Sequence, residues 1–318
     1  MKNLVIDARM IEKTGHGIAL YVEGVARSLK EGELNLLNQT LLSILGISLA
    51  ELKITFLISS SCPSDSIVRS FSTHVVDAPV FSVKEWLVIP KVLDELKADL
   101  FFNPSFTSFP YLSVPYVQTV HDLNHLYFGK ALHKIYYQTL LKKSVHHAVK
   151  IFTVSEVMKE DLIKWSGLSP DRFLVTYNRI DKPIKVSEAQ VEQTLLRFGV
   201  QRKKFFLAID SLKTHKNISF LKTQNEEWKN ALQKISNGDS YPIKLVSAVS
   251  NEDLSVLYHE CAAFLFPSVY EGFGRPPVEA ALSGTMVIAS DIPVHREAKT
   301  WLTTSNPEAG ARITLLKV

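Results

Sequence analysis

The chain has 318 residues, enough for about two domains of ordinary size. Hydrophobic residues make up 46% and charged residues 21%, which excludes a disordered chain and allows sizeable cores. A net charge of +4 is too slight to argue for nucleic acid as a partner, and the two cysteines, Cys62 and Cys261, are far apart and lack metal-ligand spacing, which fits a reducing compartment.

Asp7 and Arg9 interrupt the first apolar run, so no secretory leader is read there. A strand is expected at residues 4–6, then the turn Thr14-Gly15-His16-Gly17-Ile18 and a helix over 18–30. Gly15 and Gly17 would let backbone approach a ligand closely. A dinucleotide fingerprint needs a third glycine, and Ala19 and Leu20 stand there instead, which counts against an NAD enzyme. Residues 34–50 carry no formal charge, but they include Asn35, Asn38 and Gln39 and fall short of the ~20 apolar residues of a membrane span. They read as a buried helix leading into a strand at 54–58.

Further strands are expected at 100–102, 116–120, 151–154 and 173–176, with helices at 88–96, 131–148 and 156–165 between them. Ser155 is placed to cap the last of these helices. His121-Asp122 ends the strand at 116–120, where side chains point toward the ligand side of an α/β sheet. Asp122 either orients His121 or caps the next helix. From Leu123 to Ser155 there is no Asp or Glu, while Lys130, Lys134, Lys142, Lys143 and Lys150 occur with Tyr127, Phe128, Tyr136 and Tyr137. Such a face either rests on anionic lipid, at about 1 kcal/mol per lysine, holds a lipid-diphosphate acceptor, or is simply solvated.

The polar stretch 178–188 contains Pro183 and reads as a linker, giving domains at 1–180 and 181–318. The second begins with a strand at 205–209 and continues with strands at 243–249, 262–266 and 286–289. The alternation predicts α/β architecture with parallel sheets: two Rossmann-like domains facing a ligand cleft.

The chemistry concentrates in Pro267-Ser268-Val269-Tyr270-Glu271-Gly272-Phe273-Gly274-Arg275-Pro276-Pro277-Val278-Glu279-Ala280. The order is strand, glycine turn, helix start. Proline suits a first helical turn, where its missing N–H has no intrahelical partner to lose. The free amides of that turn suit an anion such as a diphosphate. Glu271 falls on the loop and Glu279 about two turns into the helix, so a polar ligand lying over the helix start could touch both.

With Ser283-Gly284-Thr285-Met286-Val287-Ile288-Ala289-Ser290, this segment resembles the signature of the family 4 (group 1) retaining nucleotide-sugar glycosyltransferases, which have the GT-B fold. The resemblance implies transfer of a hexose of mannosyl, rhamnosyl or glucosyl type. The donor would be a nucleotide-diphosphate sugar, and the acceptor a saccharide or a lipid-linked saccharide. It also implies a role in surface-polysaccharide or lipopolysaccharide assembly, in the cytoplasm or peripheral at the inner membrane face. Carried over by position, Glu271 binds donor-sugar hydroxyls, Glu279 the ribose, and Gly272, Phe273 and Gly274 approach sugar and phosphates. The turn with Gly15 and Gly17 faces the donor, His121 lies near the reacting sugar, and Lys216 neutralises the diphosphate. No metal and no cofactor beyond the donor itself is implied.

The chain also departs from the family pattern. Asp210 and Ser211 stand where Gly and Arg are common. The interval from Lys216 to Glu271 is shorter than the family pattern by about one helix and one strand, so the second domain is expected to be shortened, and the tail after Ala298 does not resemble the family's. A sheet without a central strand would leave buried backbone groups unpaired, at about 1–3 kcal/mol each. These departures keep open a non-catalytic relative. A sugar-nucleotide epimerase of the same fold would need an acid/base set in the cleft, and none is read.

Overall fold

The computed structural model describes residues 1–11, 17–109, 112–181, 183–209, 213–246 and 249–318. The chain divides into two compact units, Met1–Arg179 and Ile180–Val318.

Among the described residues, unit 1 holds a seven-stranded parallel sheet in the order β3-β2-β1-β4-β5-β6-β7. The strands are β1 (Lys2–Asp7), β2 (Leu52–Ile58), β3 (Ser72–Val75), β4 (Leu100–Asn103), β5 (Tyr116–Thr119), β6 (Lys150–Thr153) and β7 (Phe173–Val175). The helices are α1 (Gly17–Lys30), α2 (Leu36–Leu45), α3 (Glu85–Glu95), α4 (Asn124–Tyr127), α5 (Ala131–Tyr136), α6 (Lys142–His147) and α7 (Glu156–Ser166). All residues of β4 and β5 are buried, as expected of strands covered on both faces. The Ser155 hydroxyl accepts from the Met158 N–H at 3.0 Å and starts α7 as expected.

Three local expectations change. The helix over 131–148 is interrupted by a wide π turn at Tyr137–Leu141, which separates α5 from α6. Within residues 34–50 only Leu36–Leu45 form the helix, α2, and it is amphipathic and not buried. Asn35 caps α2 through the Asn38 N–H, Gly46 ends it in the left-handed region, and only one face, including Leu37, Leu41 and Leu42, is buried. β3 has no counterpart in the sequence reading, because Ser72-Thr73-His74-Val75 is a largely exposed edge strand without an apolar run.

Unit 2 holds β8 (Phe206–Ile209), β9 (Ile243–Val246), β10 (Ala263–Phe266), β11 (Met286–Ser290) and β12 (Ile313–Leu316). Its helices are α8 (Glu188–Phe198), α9 (Glu226–Ile235), α10 (Asn251–Glu260), α11 (Arg275–Leu282), α12 (Pro293–Ser305) and α13 (Pro307–Ala311). The sheet is parallel, in the order β12-β11-β10-β8-β9 among the described residues.

The expected gap is absent. β8 pairs directly with both β9 and β10, so the short interval leaves the ladder continuous. The tail after Ala298 supplies β12, which pairs with β11 from Val287↔Ile313 to Ser290↔Leu316. Leu316 enters the core with Trp228, Leu232, Phe206 and Ile288. The Trp228 indole N–H donates to the Lys317 carbonyl at 2.9 Å. The tail is therefore an integral edge of the sheet.

Candidate functional site

In unit 2 the site forms where β10 runs into α11. Gly274, at φ +84°, is the N-cap of α11, and Pro276 and Pro277 lie in its first turn. A side chain at Gly274 would be opposed twice, by the left-handed backbone and by the His295 ring. An added Cβ would lie 3.1 Å from His295 Cδ2 and 3.4 Å from Nε2. Phe273 is buried, its ring edge-on to Trp301 at 5.6 Å. Glu279 is the fifth residue of α11, so it sits one turn into the helix, and not two.

The loop after β8 meets this turn. The Val269 N–H donates to the His215 carbonyl at 2.8 Å, and the Asn217 amide donates to the Pro267 carbonyl at 3.3 Å. Asn217 takes the left-handed conformation that the bend requires. These bonds bring Lys216 to Glu271, with Nζ 2.6 Å from Oε1. The Lys216 ammonium also lies 4.8 Å above the centre of the Phe266 ring. Burial pushes the Glu271 carboxyl up, but the charge and hydrogen bond of Lys216, with smaller contributions from neighbouring groups, together outweigh it, and the net shift is down. Glu271 is held as a carboxylate. Glu279 is paired too, with Arg275 Nε and NH2 each 3.2 Å from its Oε1.

His295 lies behind the turn. Its Nδ1–H donates to the Ser290 carbonyl at 2.8 Å, and the ring packs on Phe266. Burial lowers its pKa, so the imidazole is neutral and Nε2 is a bare acceptor. That Nε2 is buried without a hydrogen-bond partner, as are the hydroxyls of Ser268 and Tyr258. The sequence reading missed Arg275 and His295 as site residues. Arg275 carried one signal, a cation at a helix start, whereas nothing in Ile292-Pro293-Val294-His295 distinguishes His295.

Other expected site residues lie in unit 1. Gly17 is exposed at the first position of α1, with open space where a side chain would be. Gly15 lies outside the described residues, as do Asp210 and Ser211 of unit 2. His121 is half-buried at the carboxyl end of β5. Its Nε2–H donates to the Pro104 carbonyl at 2.8 Å, and its ring meets Tyr21 edge-on at 4.7 Å. Asp122 accepts from the N–H of Asn124, the first residue of α4, although the N-cap position itself is Leu123, which makes no side-chain cap. At the end of β1, Arg9 binds Asp7 through two nitrogens and Glu85 at 3.0 Å, all three buried. Burial, only partly offset by Arg9, pushes the Glu85 carboxyl up to about 7.

Two family models match this chain: Glycosyltransferase Family 4 over residues 60–184 and Glycosyl transferases group 1 over residues 225–300. The chain belongs to the family 4/group 1 glycosyltransferases. Among its family relatives, the O-antigen chain mannosyltransferase RfbU of Salmonella typhimurium is 31% identical over 201 residues. That match spans 57% of this chain and 54% of RfbU. The serotype-specific mannosyltransferase WbdA of Escherichia coli is 26% identical over 235 residues, 63% of this chain and 28% of WbdA. The chain thus spans about half the length of RfbU and less of WbdA.

Solved structures confirm the GT-B fold. WaaG, a glycosyltransferase involved in lipopolysaccharide biosynthesis, superposes with a TM-score of 0.61 at 14% identity, covering 99% of this chain and 86% of WaaG. Anabaena HepE in complex with UDP and glucose gives 0.60 at 14% identity, covering 93% and 83%. At that identity the likeness speaks to the fold. The group 1 segment, residues 225–300, includes Glu271 and Glu279, and Lys216 lies just before it.

Proposed function

We propose that this chain transfers a hexose, a mannosyl group first among those considered, from a nucleotide-diphosphate sugar to a saccharide or lipid-linked acceptor in O-antigen or related polysaccharide assembly, with retention at the anomeric carbon. The observation that carries the reading is the Lys216–Glu271 pair, set beside the 272–274 turn at the start of α11. The mannosyl preference follows the relatives, RfbU and WbdA being mannosyltransferases.

In this reading the leaving diphosphate gathers negative charge as the glycosidic bond breaks. Lys216 and the positive end of the α11 dipole supply fixed positive charge where that develops. Glu271, kept ionised by Lys216, accepts from donor-sugar hydroxyls. Glu279 accepts from the ribose, and Gly272, Phe273 and Gly274 bring backbone close to sugar and phosphates. His121, together with the turn of Gly15 and Gly17, is assigned to the sugar and donor in the first unit. Retention without a protein nucleophile proceeds by attack from the face the diphosphate leaves.

Peripheral contact with an anionic membrane belongs to the same proposal. No helix among the described residues is long and apolar enough to cross a membrane. The 123–155 face differs from its sequence outline, since Tyr137 is buried and Tyr136 donates to the Phe106 carbonyl. Tyr127 and Phe128 remain exposed, and Leu132 (78%) and Ile135 (58%) join them. Leu132→Asp with Ile135→Asp should abolish co-sedimentation with phosphatidylglycerol vesicles. Unchanged sedimentation removes the membrane claim.

The deciding experiment titrates the purified chain with UDP- and GDP-sugars by calorimetry and thermal shift, then follows transfer by mass spectrometry of the product. Saturable binding of one nucleotide sugar, and transfer from it, supports the reading. A cooperatively melting protein that binds none points instead to the non-catalytic relative.

A further inference from the structure

We infer that the turn Phe81–Leu87, at the start of α3, is a second membrane-contacting element, which enters the headgroup region of an anionic bilayer together with α5. The inference rests on the peripheral contact proposed above and deepens it, since none of these residues belongs to the 123–155 face. Val83 is 70% exposed and Leu87 66%, and Phe81 and Trp86 are exposed beside them. Phe81 stands at φ +64°, a conformation that a bulky side chain takes only at a cost. It is the one aromatic among the described non-glycine residues with positive φ. The buried Glu85 carboxylate holds it there, accepting from the Phe81 N–H at 3.1 Å and from Arg9 at 3.0 Å. The backbone is thus fixed in a form that leaves apolar side chains in water. Contiguous exposed apolar groups of this kind mark interaction sites.

The turn and α5 meet on one loop. The Phe81 ring stacks on Phe106 at 4.8 Å and meets Tyr136 of α5 edge-on at 6.2 Å. The Trp86 indole N–H donates to the Ser108 carbonyl at 2.9 Å, and the Tyr136 hydroxyl donates to the Phe106 carbonyl at 2.9 Å. α5 itself has no buried residue. Charge selects the occupant. Between Ala78 and Leu93 the acidic residue is Glu85 alone, buried on Arg9, whereas Lys84 and Lys91 are exposed. Lys84, Leu87 and Lys91 share one helix face by their i, i+3, i+7 spacing. Asp77 balances Lys84 at 3.0 Å, and Asp94 and Glu95 come a turn later, at the far end of α3. The tip and α5 together therefore present Lys91, Lys130 and Lys134 among apolar groups, with no exposed carboxylate of their own. A second copy docked patch to patch would set lysine against lysine. Tryptophan and lysine settle instead at a bilayer interface, apolar part inward and polar end among the headgroups. The same loop leads to His121, whose Nε2–H donates to the Pro104 carbonyl. The patch thus brings a lipid-linked acceptor to the side of unit 1 that carries His121.

The test is co-sedimentation of the full chain with phosphatidylglycerol or phosphatidylcholine vesicles, for wild type, Val83→Asp with Leu87→Asp, and Lys91→Gln. Wild type should sediment with phosphatidylglycerol and far less with phosphatidylcholine. Val83→Asp with Leu87→Asp should weaken binding by at least about tenfold, and Lys91→Gln by about fivefold on phosphatidylglycerol alone. A second measurement reads the turn directly. Trp86 emission should be quenched by lipids brominated on the acyl chain, and the quenching should be lost in Trp86→Phe, since Trp165 and Trp228 are buried. Wild-type sedimentation of folded Val83→Asp, Leu87→Asp protein overturns the inference and leaves the α5 contact standing, as does quenching unchanged in Trp86→Phe. A lipid-free dimer of wild type that Val83→Asp with Leu87→Asp dissolves also overturns it, because the patch then covers a second copy. If wild type sediments with neither lipid, the membrane reading falls with it.

Discussion

The ammonium of Lys216 lies 2.6 Å from the carboxylate of Glu271 across 55 residues of sequence. Neither side chain is more than 18% exposed. Removing one member of such a pair leaves the other charge buried and uncompensated. Lys216→Ala should therefore cost about 1–3 kcal/mol of stability, and Glu271→Gln less. In the double variant most of the Lys216→Ala cost should disappear. Urea unfolding of the four proteins measures the coupling, and strictly additive losses would show that the pair does not interact.

Gly274 and Gly284 share a φ of +84°, but only Gly274 faces a neighbour in the direction of a side chain. Alanine at Gly284 should cost about 1–2 kcal/mol, the penalty of left-handed backbone. Alanine at Gly274 should cost more, because its Cβ also presses on the His295 ring. Equal urea midpoints for the two variants would mean that His295 yields freely.

Glu279→Ala should weaken nucleotide-sugar binding by about 1–3 kcal/mol through the lost ribose hydrogen bond. Calorimetry with the nucleotide sugar that wild type binds reads this directly. Unchanged affinity in a folded variant refutes the ribose assignment.

Glu85 supplies a pH dependence of opposite sign to the usual carboxylate. Its folded pKa of about 7 exceeds the ~4.3 of an unfolded glutamate. Between those values the folded chain binds more protons, so stability from the protonated carboxyl is complete below about pH 4.3 and is lost as pH rises through 7. The loss reaches about 4 kcal/mol at most. Glu85→Gln can still accept from Arg9 and should lose less stability between pH 5 and pH 8. Parallel losses in wild type and variant, measured by urea unfolding at both pH values, would refute the assignment.

Much of the architecture was legible because its causes are local. Apolar runs bounded by turns marked β1, β2 and β4 to β11, and the Ser155 cap placed the start of α7. β3 escaped because an exposed edge strand needs no apolar run, and β12 because its role depends on pairing with β11. The apparent deletion before Glu271 was visible in the chain. Its consequence was not, since only the register of β8 against β9 and β10 shows that the sheet closes over it.

By itself the sequence determined the strand–turn–helix order around Glu271, the proline-opened start of α11 and the glycine demanded at Gly274, all set by backbone geometry within a few residues. Tertiary structure alone decided which charges meet. Lys216 reaches Glu271 because loop hydrogen bonds from His215 and Asn217 join two strand ends, and His295 comes under Gly274 because α12 packs behind the turn. Ion pairs and buried polar atoms depend on distances across the fold, and a linear pattern of residue types does not contain those distances.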